Sequence, residues 1–87
     1  MASHRITHVR NRINQHEYIT HLQYGGHVYH REFIIKLIEK GINSFYVEVG
    51  GRRSEVGVVR PEKPRLPYLR THADGTWNDN LLSLPKC

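Results

Sequence analysis

The sequence predicts an α+β fold in which one helix packs on a face of an antiparallel sheet of about five strands. Segments rich in Val, Ile, Thr and Tyr recur along most of the chain and are separated by Gly-Gly and Asp-Gly pairs, which are typical of turns between strands. Only residues 30–41 place apolar side chains at helical spacing. The predicted order is strand, strand, helix, strand, strand, strand, and a small β-barrel with one helix is the alternative.

The first two predicted strands are residues 5–11 and 17–24, and both contain the tripeptide Ile-Thr-His. The linker between them is polar and has no apolar period, so it is predicted to connect a hairpin. A turn at the centre of this linker would place His8 directly opposite His21, with β-carbons about 5 Å apart.

The helix is predicted from the segment HREFIIKLIEKG. His30 occupies the N-cap position, and Gly41 provides a left-handed C-terminal cap. One apolar stripe is expected to face the sheet. It consists of Phe33, Ile34, Leu37 and Ile38.

A second hairpin is predicted for residues 44–60. Its connection is either the two-residue turn Gly50-Gly51 or a four-residue loop, because both place the apolar residues of the two strands on one face. A three-residue loop would put a glutamate among them and is rejected. Gly57 lies within the return strand and indicates a bulge or a close neighbour. The shared apolar face consists of Phe45, Val47, Val49, Val56 and Val58.

The C-terminal third begins with the proline-rich segment 60–67, which is predicted to be an extended loop. Residues 68–72 read as a fifth strand, and Asp74-Gly75 is a tight-turn signal. The polar run after Trp77 is unsuited to a central strand. Three leucines are then expected to fold an irregular tail or one helical turn onto the core: Leu81, Leu82 and Leu84.

Length and composition predict a single domain, residues 1–87, because 87 residues provide one small core. The only cysteine is Cys87, so no intrachain disulfide is possible. No run is long and apolar enough for a signal peptide or a membrane span. We therefore expect a cytoplasmic protein that does not contact a membrane.

Catalytic motifs are not evident. No serine lies in a recognisable nucleophile elbow, there is no metalloprotease motif, and the glycine pairs lack the spacing of a phosphate-binding loop. We therefore expect no enzymatic activity, no catalytic residues and no cofactor.

Basic residues are the main indication of a binding surface. The net charge is +5, and residues 52–70 contain six Lys or Arg residues against two Glu residues. Exposed basic loops with nearby aromatic side chains are typical of proteins that bind nucleic acid. The basic residues are Arg52, Arg53, Arg60, Lys63, Arg65 and Arg70.

Seven histidines in 87 residues make a metal site the weaker alternative. The predicted His8–His21 pair would supply two imidazoles, whereas zinc requires three or four ligands. No third ligand can be placed beside them from the sequence, so no metal-binding residues are assigned.

The closing segment YLRTHADGTWNDNLLSLPKC resembles the end of a small bacterial family, domain of unknown function 3892. The similarity extends to ITHVR, YITHL, the IEKG helix end and the SFYVEVGGRRSEVGVV hairpin, and so spans nearly the whole chain. The family implies a shared fold and no established activity. The matching residues are Arg70, Thr71, Ala73, Asp74, Gly75, Asn80, Leu81, Leu82, Leu84 and Pro85.

These observations together predict a small non-enzymatic binding or interaction module. Its partner is an unidentified protein or a second copy joined through exposed strand edges. The alternatives are a nucleic-acid-binding protein that uses the basic loops of residues 52–70 and, less favoured, a histidine-based metal site. The candidate binding surface consists of Arg52, Arg53, Arg60, Arg65, Arg70, Asp74 and Asn80.

Overall fold

The computed structural model describes residues 2–87, which form eight strands and one α-helix arranged in two sheets. Short 3-10 helices lie at His16–Tyr18 and Asn80–Ser83. The fold is mostly β with one helix, as predicted, but has more strands than expected. The strands are β1 (Ala2–Arg5), β2 (His8–Asn11), β3 (Ile19–Tyr24), β4 (His27–His30), β5 (Asn43–Val49), β6 (Arg52–Val59), β7 (Tyr68–Ala73) and β8 (Thr76–Asn78), and α1 spans Arg31–Glu39.

The larger sheet has five strands in the order β1-β5-β6-β7-β8. Four of them pair antiparallel, but β1 runs parallel to β5, so the sheet is mixed and the prediction of a purely antiparallel sheet is wrong. β1 joins this sheet because the chain changes from one sheet to the other between β1 and β2. The Ile6 amide donates to Tyr46 O in the larger sheet, and the next amide, that of Thr7, donates to Gln23 O in the other sheet. Two residues thus move the chain between sheets.

The smaller sheet is antiparallel, in the order β2-β3-β4. Gly25 and Gly26, with φ of 59° and 79°, form the two-residue turn between β3 and β4. The sequence predicts the end of a strand before these glycines and does not predict β4, because that strand has only four residues and runs directly into the helix. Both sheets are open, so the alternative of a small β-barrel is wrong.

The register of β2 against β3 differs from the prediction by two residues. His8 lies opposite Gln23, and His21 lies opposite Arg10, so the predicted His8–His21 pair is wrong. The observed register pairs Val9 with Leu22, and both are fully buried. The loop contains a 3-10 helix and the ladder has an irregularity after Arg10, which together shift the turn away from the centre of the linker.

The hairpin of β5 and β6 forms with the two-residue turn Gly50-Gly51, whose φ values are 59° and 76°. This outcome confirms one of the two predicted connections. Phe45, Val47 and Val56 are buried on the shared face. The close neighbour predicted at Gly57 is also found: a β-carbon there would lie 3.0 Å from His72 Cδ2 and 3.1 Å from Trp77 Cη2.

The helix buries Ile34 and Ile35, with Leu37 and Ile38 partly buried beside them. Phe33 is 45% exposed, so its assignment to the core is wrong. The helix begins beside β4, and the Phe33 ring stacks on the Tyr29 ring at a centroid distance of 5.1 Å instead of entering the core. His30 acts as the N-cap, because its Nδ1 accepts from the Glu32 amide at 3.2 Å.

Asp74 and Gly75, both with positive φ, form the predicted turn, which leads into the unpredicted edge strand β8. The 3-10 helix that follows buries Leu81, and Leu84 is buried just beyond it, so the predicted closure of the core is confirmed. The C-terminal tail covers the edge of β2 through hydrogen bonds on either side of Val9. Within residues 2–87 no helix combines the length and apolar character that crossing a bilayer requires.

Candidate functional site

A polar cleft of about 470 Å³ lies where β5 ends, β6 begins and β7 turns into β8. Four of the seven candidate residues from the sequence line it: Arg52, Arg53, Asp74 and Asn80. The sheet brings them together because the start of β6 lies beside the end of β7. The lining also includes Val49, Ser54, Ala73 and Asn78.

The base of the cleft is built on Ser54, which is 2% exposed. Ser54 lies two residues before Val56 and so points to the same inward face, a polar residue at a core position. Its Oγ accepts from Asn78 Nδ2 at 3.1 Å and from Asn80 Nδ2 at 2.9 Å. These two amide groups belong to the segment after the Asp74-Gly75 turn, so the network ties that segment to β6.

The amide of Asn78 has a fixed orientation. Its Oδ1 accepts from the Asn80 backbone N–H at 3.1 Å and from the hydroxyl of the buried Thr71. The Nδ2 group must therefore point to Ser54. Through the bond from the Asn80 backbone N–H, the Asn78 side chain also holds the start of the second 3-10 helix.

Hydrogen-bond donors remain available at the base of the cleft. A serine hydroxyl has two lone pairs and one hydrogen. Both lone pairs of Ser54 are used by the amides, and its hydrogen has no acceptor among residues 2–87. The Asn78 and Asn80 amides each use one of their two hydrogens on Ser54. One hydroxyl hydrogen and two amide hydrogens are therefore left over on side chains that line the cleft.

The rim of the cleft carries one positive and one negative side chain without intrachain partners. In the part of the chain that the structure describes, neither the Arg52 guanidinium nor the Asp74 carboxylate forms an ion pair. Asp74 is held at φ 54° by the turn, a conformation that Asp and Asn adopt more readily than most residues. Two unlike charges therefore border the same cleft.

The other four arginines of residues 52–70 all have carboxylate partners. Arg53 donates to Glu55 at 3.1 Å, and its guanidinium lies 3.9 Å from the centroid of the Tyr46 ring. Arg70 donates to Asp79 at 3.1 Å. Arg60 pairs with Glu39 and Arg65 with Glu17.

Arg60 and Arg65 do not line the cleft and lie beside the proline-rich loop instead. Two further depressions, of about 330 and 560 Å³, flank the proline-rich loop there and both include Leu66 and Pro67. Arg70 lies on β7, and its guanidinium also donates to Asn78 O at 3.3 Å. The predicted binding surface is thus divided: four residues converge at the cleft and three do not.

The two Ile-Thr-His tripeptides form the same hydrogen-bonded unit. Each threonine hydroxyl donates to a carbonyl of the neighbouring strand at 3.3 Å, Thr7 to Gln23 and Thr20 to Arg10. The same oxygen lies 2.9 Å from the Nδ1 of the following histidine in both cases. We infer that neutral His8 and His21 carry their proton on Nδ1, because the threonine hydrogen is already used.

The register places His8, His21 and His30 on the same outer face of the smaller sheet, together with Arg10. The His21 and His30 rings are 5.2 Å apart. Partial burial, Arg10 and His30 lower the pKa of His21. Among residues 2–87 no three His, Cys, Asp or Glu side chains are grouped so that they could hold a metal ion.

His16 lies apart from both regions, in the first 3-10 helix. Its Nε2 is buried, has no hydrogen-bond partner and lies 3.7 Å from Asp79 Oδ1. Burial and the Arg70 guanidinium lower the pKa of His16, whereas Asp79 acts in the opposite direction. Nothing in the sequence pattern distinguished this histidine from the other six.

A protein-family model matches residues 5–85, which include the cleft and every candidate residue. The chain belongs to this family. It is described as Protein of unknown function (DUF3892), and the match confirms the resemblance drawn from the closing segment. Searches of curated proteins and of solved structures find no match to the chain. The DUF3892 assignment thus carries a shared sequence pattern and no activity.

Proposed function

We propose that this chain is a small non-enzymatic binding module and that its ligand occupies the polar cleft. The observation that supports this proposal most is the buried Ser54, oriented by two asparagine amides at the base of a cleft whose rim charges lack partners. Small-molecule sites typically combine a volume of a few hundred Å³ with a few convergent polar groups. The cleft has both features.

The chemistry at the base favours binding over catalysis. A serine becomes a nucleophile when a neighbouring base accepts its proton. The groups that contact Ser54 Oγ are the amides of Asn78 and Asn80, which do not act as bases. This arrangement supports the expectation that the protein is not an enzyme.

The basic residues of the sequence favour nucleic-acid binding, but the ion pairs that they form in the structure weaken this argument. A protein that binds phosphates needs arginines whose charge is available. Four of the five arginines between residues 52 and 70 share their charge with a carboxylate of the same chain. We keep nucleic acid as a weaker proposal, whereas no grouping of three ligands among residues 2–87 supports a metal at the histidine face. The single cysteine supports the proposed cytoplasmic location.

The proposal is tested by recording amide NMR spectra of the protein with a library of small polar compounds. We expect ligands whose shift changes map to Val49, Arg52, Ala73 and Asn80. Ala73→Leu should abolish these changes, because it adds bulk to the cleft lining without altering the Ser54 network. Thr76→Leu is the matched control, since Thr76 lies opposite Ala73 on β8 but does not line the cleft.

The outcome that contradicts the proposal is equally defined. Ligands whose shift changes map to residues 60–67, or that bind Ala73→Leu unchanged, would place binding outside the cleft. A screen without any hit at the cleft would also contradict the proposal. Unaltered amide shifts at the buried Val9 and Leu22 show whether each variant retains the fold.

A further inference from the structure

We propose that the cleft binds a small zwitterion, a molecule that carries a carboxylate and an ammonium group, as amino acids and short peptides do. The carboxylate would contact Arg52 and the donors at the base, and the ammonium would contact Asp74. This inference rests on the proposed function, because it names the chemical class of the ligand for the same cleft.

The first argument is the charge of the rim. Arg52 and Asp74 line one cleft, pair with no other residue among positions 2–87 and do not pair with each other. An anion would satisfy Arg52 and be repelled by Asp74, and a cation would be repelled by Arg52. A ligand with both charges satisfies both side chains, and each charge-assisted hydrogen bond is stronger than a neutral one.

The second argument is the set of polar groups at the base. The Ser54 hydroxyl and the second amide hydrogens of Asn78 and Asn80 are donors, and a carboxylate accepts about four hydrogen bonds. The side-chain oxygen of Asn80, Oδ1, and the Asp74 carboxylate are acceptors for an ammonium group. The cleft thus offers partners for both ends of a zwitterion.

Size and lining limit the ligand further. A volume of about 470 Å³ leaves room for a side chain beside the two charged groups, and Val49 and Ala73 provide an apolar surface for it. A phosphate ester fits less well, because its double negative charge would face one unpaired arginine and the Asp74 carboxylate. The charges therefore favour an amino-acid-like molecule over a nucleotide.

The test compares L-alanine with its two halves, acetate and methylammonium, at equal ionic strength and by the amide shifts of the cleft. We expect L-alanine to bind at least 10-fold more tightly than either half, since each half loses one charge-assisted contact. N-acetylalanine and alaninamide, which each lack one charge, should behave like the halves. Comparing L-alanine with dialanine then distinguishes a free amino acid from a short peptide as the preferred source.

Two variants assign the contacts. Arg52→Gln should weaken L-alanine and acetate binding about 10-fold or more, while Arg12→Gln, an exposed arginine outside the cleft, should leave both unchanged. Asp74→Asn should weaken L-alanine and methylammonium but not acetate, because it removes a negative charge. Asparagine tolerates the positive φ at this turn, so the variant retains the fold. Glu62→Gln is the control for loss of a carboxylate.

Equal affinities for L-alanine and acetate would overturn the inference, and so would L-alanine binding that neither variant alters. If other compounds bind the cleft while L-alanine and dialanine do not, the zwitterion is wrong and the binding module stands. If the library and the zwitterions all fail to bind the cleft, both proposals are wrong.

Discussion

Asn78 and Asp79 are neighbours in the chain, but their side chains belong to two different polar clusters that differ in how well the buried groups are hydrogen-bonded. Asn78 is hydrogen-bonded to Ser54, Thr71 and the Asn80 backbone. On the other side, Asp79 contacts Arg70 and lies 3.7 Å from His16, whose buried Nε2 has no hydrogen-bond partner. Both ends of the Asn78 amide thus have hydrogen-bond partners, whereas the buried His16 Nε2 has none.

The difference shows where polar groups stabilise this small fold and where they reduce its stability. A buried polar group that is hydrogen-bonded specifies one packing arrangement, whereas an unpaired one retains its desolvation cost. The Asn78 cluster fixes the segment after the Asp74-Gly75 turn and so shapes the cleft. Because burial lowers the pKa of His16, we expect the His16 cluster to make folding sensitive to pH.

Asn78→Leu should lower the free energy of unfolding by about 2–4 kcal/mol, because it removes the side-chain oxygen that accepts from the Asn80 backbone N–H and from the Thr71 hydroxyl, and it removes one donor to Ser54. The Thr71 hydroxyl keeps only its bond to the backbone carbonyl of residue 78. Urea denaturation of the variant measures this loss. Asn14→Leu is the control, since Asn14 is exposed in the loop before the first 3-10 helix. Equal stabilities of the two variants would mean that the network does not fix the fold.

His16→Leu should leave the free energy of unfolding at pH 7.5 unchanged or raise it by about 1 kcal/mol, because an apolar group replaces an unpaired buried nitrogen. The pKa of folded His16 lies below its ordinary value of 6.5, so the unfolded chain binds the proton more readily. The contribution of neutral His16 to stability is therefore complete above pH 6.5 and is lost as the pH falls below 6.5 through the folded-state pKa.

Denaturation of the native protein at pH values from 7.5 to 5 should show this loss, and the same series on His16→Leu should be shallower. His27→Leu, at an exposed position on β4, should retain the native pH dependence. If His16→Leu and the native protein lose stability in parallel, another group controls the acid sensitivity. His21 is the next candidate, since its pKa is also lowered.

Asp79→Asn should have the smallest effect on stability at neutral pH, about 1 kcal/mol or less, because the Asp79 side chain is 72% exposed and its pair with Arg70 is screened by water. The variant should nevertheless lower the pKa of His16 further, since Asp79 is the group that raises it. A titration of the His16 ring followed by NMR measures the change. An upward shift would contradict the assigned contact.

The contrast between the two hairpins shows how far the sequence alone could predict the fold. For β5 and β6 the alternation of apolar residues determines the faces, because a slip of one residue would expose the buried set. It leaves two possible connections, and the structure has the Gly50-Gly51 turn. For β2 and β3 the linker has no such constraint. A shift of two residues keeps every side chain on its face, so the periodicity could not choose between the predicted register and the observed pairing of Val9 with Leu22.

Local sequence by itself determined the helix, the Asp74-Gly75 turn, the β5–β6 hairpin and the burial of Leu81 and Leu84, because each depends on spacing and backbone preference within a few residues. Tertiary structure alone decided which arginines keep a free charge and which polar groups meet. Arg60 pairs with Glu39, 21 residues away in the chain, and Arg65 pairs with Glu17, 48 residues away. Ser54 meets Asn78 and Asn80 across strands, and no local pattern specifies such distant partners.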